Sequence, residues 1–388
     1  MNITEKFKEF ETYEEQSLLF KRELREKMNS EYLSFYERFQ RKTKLDFVSF
    51  SALFGLTLFS VHFLSTLLEK DVGSFSIIKD FSYFLSIMNS VGLFLLLTAT
   101  DKLREFVVNL VSLTNNRSVN ITENYLGVLE DKFLSGRPFY FGVLFGIINC
   151  TISLLLGVEY YDNGQYWLLT SFLFQVFTIG FIGGITVNTT FVIIKMIKSI
   201  SVKDDFYLQY FYPDGCAGTL IIGNILLIFS LHFIAIGIFI FLFLEGFDWT
   251  FARSQSINPY TKALYIFWQF FPFLMSGIIF FFPAKRVSKI LTEYKLFEQL
   301  KVKRKLDHIR QLVIQKSDQG VRAKDEIEAL DIHYQKLLKI EEELEKMNNW
   351  PYNLRYRTTF LSVFLPVVIA IVLEASEKVI SNLIEFLF

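Results

Sequence analysis

The chain is poor in the residues from which most catalytic and metal centres are built. Four histidines (His62, His232, His308 and His333) and two cysteines are spread over 388 residues. No H-x-x-x-H, H-E-x-x-H, G-x-S-x-G or G-x-x-x-x-G-K-[ST] pattern occurs, so a metal cluster, a nucleophile with its base and a phosphate loop are all missing. The expectation is a protein that is not an enzyme and that uses no metal and no cofactor. Cys150 and Cys216 form neither a C-x-x-C pair nor a disulfide framework. Forty basic and forty acidic residues cancel, which removes any overall attraction to duplex DNA.

Charge itself is missing from long blocks. No Asp, Glu, Lys or Arg falls within 47–68, 81–99, 139–158, 166–194, 219–244, 263–283 or 358–373. A soluble helix mixes polar and apolar residues every turn because one face is wet. Here they are segregated. A membrane-crossing helix needs about 20 apolar residues, so the first six blocks are long enough and the seventh, at 16 residues, is marginal. A β-barrel would instead show roughly ten-residue segments of alternating polarity, which these are not. The fold class expected is all-α, a polytopic helical membrane protein of six to seven transmembrane helices.

Lys and Arg set the orientation. With the N-terminus in the cytoplasm, 35 of the 40 fall in cytoplasmic segments and five outside, the bias that the positive-inside rule describes. Residues 1–46 carry many charges and no apolar signal core, so we expect the first span to do the targeting. The organisation that follows is a cytoplasmic amphipathic helix (1–46), with Phe20, Leu24, Met28, Tyr32, Phe35 and Phe39 at helical spacing. Next come a first transmembrane unit of four spans (47–195) with a cytoplasmic helical linker (100–138), a cytoplasmic connector (196–218), and spans five and six (219–283). A cytoplasmic helical hairpin (284–357) and a seventh span with an interfacial C-terminal helix (358–388) complete the chain. The hairpin is read from charge: twelve basic against four acidic residues over 285–324, then eight acidic against three lysines over 325–347. Ser317-Asp318-Gln319-Gly320 would make the turn, and Leu330, Leu337, Leu338 and Leu344 the seam.

One internal likeness suggests a parallel repeat. Phe59-Ser60-Val61-His62-Phe63 in the first span recurs as Phe229-Ser230-Leu231-His232-Phe233 in the fifth, 170 residues later. Repeats of this kind are common in transport proteins. Gly142, Gly146, Gly180 and Gly184 in spans three and four read as close helix packing rather than a glycine loop.

Coupled transporters and pumps use buried charges, and these spans hold none. They carry uncharged polar residues instead: Ser82, Ser86 and Asn89 in span two; Gln175, Thr178, Thr186 and Thr189 in span four; Asn224 in span five; Gln269 in span six. Together with His62 and His232, these are the candidates for lining a polar path or gluing helices together. The expected function is an oligomeric membrane ion channel or pore, gated from the cytoplasm. Lys301, Lys303, Arg304, Lys305 and Arg310 are the candidate sensor for an anionic, nucleotide-like ligand. A bacterial membrane effector in the cell inner membrane would have such a layout. The alternatives are a transporter of an uncharged or amphipathic small molecule, or a non-conducting membrane sensor or scaffold. The partners implied are the lipid bilayer, further copies of the chain and an anionic cytoplasmic ligand.

Overall fold

The computed structural model describes residues 22–69, 81–112, 126–199, 208, 213–246, 259–317, 324–352, 355–366 and 369. They are almost entirely helical. We label the main helices α1 (Phe35–Thr43), α2 (Phe47–Glu69), α3 (Phe84–Ser112), α4 (Arg137–Leu156), α5 (Tyr166–Ser199), α6 (Leu220–Gly246), α7 (Pro259–Ser317) and α8 (Lys324–Lys346). Six of them, α2 to α7, are long and apolar enough to cross a bilayer. Lipid offers the backbone no hydrogen-bond partner, so an apolar segment that crosses it must satisfy its own N–H and C=O groups, and a helix does so.

The spans are polar inside and apolar outside. On α2 the buried stripe includes Ser51, Gly55, Leu58, His62, Ser65 and Thr66, whereas Leu53, Leu56, Leu64 and Leu68 are exposed. Lipid is as apolar as leucine, so leucine gains nothing by facing the bundle, while small and polar residues gain contact and hydrogen bonds. The same logic joins α4 to α5. A Cβ at Gly184 would collide with the carbonyl oxygen of Phe141, and one at Gly180 would lie 2.7 Å from that of Phe145. Glycine here permits backbone against backbone, as the sequence spacing implies. α3 sits centrally, packed on α2, α5 and α6, and α6 lies along α7.

At 59 residues, α7 is far longer than a bilayer needs. At 1.5 Å per residue it extends roughly 90 Å against a hydrocarbon core of about 30 Å, so the half after Pro283 continues beyond the membrane. α8 packs back along that half. Val302, Leu306 and Ile309 meet Leu337 and Leu344, and Lys316 pairs with Glu326 at 2.6 Å. Leu338, expected in the seam, is 36% exposed and lies outside it. The segment after α8 locks α6 and α7 together. Tyr352 stacks on Phe280 with ring centroids 4.4 Å apart, Phe280 stacks on Phe360 at 3.9 Å, and Pro351 presses against Gly223.

One expectation needs correction. The N-terminal amphipathic helix is interrupted: 22–30 is helical, the chain breaks at 31–34, and α1 starts afresh. Ser34 and Glu37 form a reciprocal capping box, which fixes a new N-terminus and rotates the register. Tyr36, Glu37 and Gln40 turn inward, and Phe35 and Phe39, expected on the apolar side, are 47% and 63% exposed. The helical linker expected over 100–138 begins as a direct continuation of the second span, since α3 runs unbroken from the second apolar block to Ser112. Phe20, most of the turn at 317–320, and most of the seventh span and C-terminal helix lie outside the described residues; 355–366 is helical.

If backbone contact holds α4 on α5, Gly184→Leu should destabilise the protein by about 1–3 kcal/mol, read as a lower melting temperature in detergent. Gly183→Ala, which faces open space, should leave melting unchanged.

Candidate functional site

The polar residues of α3 come in two groups with an apolar layer between. The first group lies at the end of the bundle away from α1. His62 is fully buried and its ring is held from both sides, with Nδ1 2.8 Å from the Ser171 hydroxyl and Nε2 2.6 Å from that of Ser82. Ser171 donates its own proton to the Leu168 carbonyl, so it accepts from Nδ1–H, and Nε2 therefore accepts from Ser82. Ser82 in turn accepts from the Tyr160 hydroxyl at 3.0 Å. The chain of donors runs one way, Tyr160 to Ser82 to His62 to Ser171, and joins α2, the 3₁₀ turn Phe81–Tyr83 that leads into α3, α5 and the turn Glu159–Asp162. Beside it, Thr66 and Tyr83 share a hydrogen bond of 2.9 Å, and Glu69 receives the N–H groups of Trp167 and Leu168 at the start of α5. A carboxylate there meets the positive end of the helix dipole.

One turn further along, Ser86 donates to Gln175 Oε1 at 2.8 Å. Asn89 Nδ2 donates to the carbonyl oxygens of Gln175 and Leu85. Asn89 Oδ1 and Gln175 Nε2 are buried without a hydrogen-bond partner among the described residues. Next to this layer, a cavity of about 90 Å³ opens between α3, α4 and α5 on one side and α6 and α7 on the other. Its wall is apolar apart from Asn149, Ser153 and Thr186.

The apolar layer follows. Leu93, Leu96 and Leu97 of α3 pack against Ile182 and Ile185 of α5. Eleven residues separate Asn89 from Thr100, which is about 16 Å along a helix. Below it lies the second polar group, where α1 meets α3. Tyr36 OH is 2.7 Å from Thr100 Oγ1. Arg104 forms a buried ion pair with Glu37 and a second one, at 2.9 Å, with the half-exposed Asp101. Tyr32 donates to Glu130 at 2.9 Å; burial, with the Glu130 carboxylate accepting its proton, pushes this phenol up to about 12.

The sequence candidates thus divide. His62, Ser82, Ser86, Asn89 and Gln175 are brought together. Thr178, Thr186 and Thr189 spend their hydroxyls on carbonyls four residues back in α5. Asn224 is exposed on α6, His232 Nδ1 approaches the Ile228 carbonyl at 2.6 Å, and Gln269 donates to Glu245 at 2.8 Å; these three stand apart from the ladder. On α7, Lys301 pairs with Glu298 at 3.3 Å and Lys303 reaches Glu341 at 4.0 Å. Arg304, Lys305 and Arg310 are exposed. Sequence reasoning missed the Glu37–Arg104 pair. The Ser34-x-x-Glu37 capping signature was the available signal, but nothing in a charged segment distinguishes a buried carboxylate from its wet neighbours. Among the described residues no group of three or more His, Cys, Asp or Glu could hold a metal ion.

Three outcomes follow from these contacts. Ser82→Ala or Ser171→Ala removes one buried hydrogen bond to the His62 ring and should cost about 0.5–1.5 kcal/mol in thermal denaturation. Arg104→Met strands the Glu37 carboxylate and should cost about 3–5 kcal/mol. Because the Tyr32 pKa is raised on folding from 10.0 to about 12, its contribution is complete below pH 10 and is lost as pH rises through 12. Tyr32→Phe should flatten that alkaline loss in a melting-temperature series. Compared with known proteins, the chain matches no family model, and no curated protein or solved structure is detectably similar to it.

Proposed function

We propose that the chain is a subunit of an oligomeric ion-conducting channel, closed in this conformation and controlled from the cytoplasmic side, where the positive-inside bias puts the N-terminus. One observation carries the reading: α3, with the turn that leads into it, passes from a buried polar group (Ser82, Ser86, Asn89) through an apolar layer (Leu93, Leu96, Leu97) to a second polar group (Thr100, Arg104). Short apolar constrictions between polar regions stop ions by excluding water, and they open when the walls separate. The handle on that layer is α1, which holds α3 one turn below through Tyr36 and Glu37. A second lever is α7, a single helix that runs from the membrane to its junction with α8. In this reading α7 and α8 form the cytoplasmic hairpin, and an anionic ligand on Lys301, Lys303, Arg304, Lys305 and Arg310 would bias its position. Assembly with further copies is supported by Leu296, Phe297 and Leu300, each more than half exposed on α7 beyond the membrane, where water makes such a stripe costly.

The 90 Å³ cavity favours a second reading, a transporter of a small apolar or amphipathic molecule. Pro272 lines it and, inside the continuous helix α7, takes one N–H donor out of the backbone ladder. The parallel repeat belongs with this reading. Its two pentapeptides lie on α2 and α6 in different surroundings, His62 fully buried and His232 half-buried.

Purified protein in planar bilayers should conduct, and Leu97→Asn, which wets the apolar layer, should raise the open fraction. Charge reversal at Lys303, Arg304 and Lys305 should abolish the response to anionic ligands while assembly persists. Absence of current from both the native chain and Leu97→Asn would refute the channel reading, and substrate uptake without current would establish the transporter.

A further inference from the structure

A groove remains that neither polar group uses. It runs between the beginning of α4 and the end of α5, encloses about 450 Å³ and has Arg137, Lys195 and Lys198 on its wall. We infer that this groove binds the headgroup and upper acyl chain of an anionic phospholipid, from the leaflet on the same side of the membrane as α1.

The argument begins with spacing. Asn188, Phe191, Lys195 and Lys198 recur at three- and four-residue steps, so they lie along one face of α5. The face grades from a buried amide through an aromatic ring to two exposed ammonium groups. Arg137 and Phe141 add the matching pair from α4, with the guanidinium 5.6 Å from the ring centroid. The charge-free run of α5 ends at Ile194 and that of α4 begins after Arg137, so the three cations mark one membrane boundary. Lys198 confirms the level: its ammonium lies 5.3 Å from the ring centroid of Phe282, the last aromatic before Pro283 in the apolar part of α7, and itself 60% exposed.

Arg137, Lys195 and Lys198 form no ion pair among the described residues, although the chain contains as many acidic groups as basic ones. Other lysines do find carboxylates, as Lys316 does with Glu326 and Lys102 with Glu105. Three cations lining one groove repel unless an anion lies between them. An anion drawn from water would need no apolar floor, yet Phe141, Phe191 and Val192 supply one. A phosphate joined to an acyl chain matches both halves, and basic pockets between transmembrane helices on the cytoplasmic side are a recurrent form of headgroup recognition.

The test uses the full-length protein in detergent, titrated with phosphatidylglycerol or phosphatidylcholine and read by native mass spectrometry and thermal shift. Phosphatidylglycerol should bind in preference. Lys195→Gln and Lys198→Gln should each weaken it by roughly fivefold, the equivalent of the energy of one basic residue at a membrane surface, and both together by roughly 25-fold. Arg137→Lys, which keeps the charge, should bind as the native chain does. The charge-matched control Lys336→Gln with Lys339→Gln, both exposed on α8, should change nothing, and all variants should elute as the native protein does in size exclusion. Equal binding of the two lipids, or unchanged affinity in the double variant, would overturn the inference. So would glycerol 3-phosphate competing as well as the lipid, since that would make the groove a site for a soluble anion.

Discussion

A bilayer interior supplies no water to hydrogen-bond, and this constraint governs the structure more than any single contact. It makes every span helical, because only a helix satisfies its backbone from within. It also decides which face of each helix turns inward. In water, leucine leaves the solvent and serine stays; in lipid, leucine is at home anywhere and serine must find a partner. The ladder from Tyr160 through Ser82 and His62 to Ser171 is the outcome. Four elements of the chain meet there because each brings a group that would otherwise be left unpaired.

The same constraint explains why charge appears only at the ends of the spans and how it is handled there. Glu69 is placed where free N–H groups of α5 receive it, and Arg104 is compensated by both Glu37 and Asp101. Arg137, Lys195 and Lys198 have no such carboxylate partner among the described residues, and the inferred phospholipid site rests on their position at the ends of the apolar runs. The apolar layer between the polar groups of α3 thus separates a ladder of hydroxyl, imidazole and amide hydrogen bonds on one side from the Tyr36–Thr100 hydrogen bond and the Arg104 ion pairs on the other. If the molecule conducts, the free energy of gating resides in that layer, and the ion pairs transmit motion to it from α1.

The chain by itself determined the helical membrane class, because charge-free blocks of 20 or more residues have few other physical outcomes. It also determined the close α4–α5 contact, since glycines at helical spacing in both segments permit little else. The basic-then-acidic order of α7 and α8 was legible for a similar reason: opposite charges in adjacent helices attract. That Ser82, Ser86 and Asn89 share one helical face was legible from spacing alone.

Only the tertiary structure decided which of those residues meet. Hydrogen bonding between spans depends on helix rotation and depth, which hydropathy does not encode; hence Gln175 joins the α3 stripe while Thr178, Thr186 and Thr189 turn to their own backbone. The burial of Glu37 rests on the capping box that restarts the helix at Ser34 and on the approach of Arg104 from a residue 67 positions away. The basic groove is likewise a property of two antiparallel helix ends, assembled from residues that are unremarked in either segment alone. Composition placed this chain in a membrane; packing placed its polar groups on either side of an apolar layer, because lipid leaves buried hydrogen-bonding groups no partner except one another.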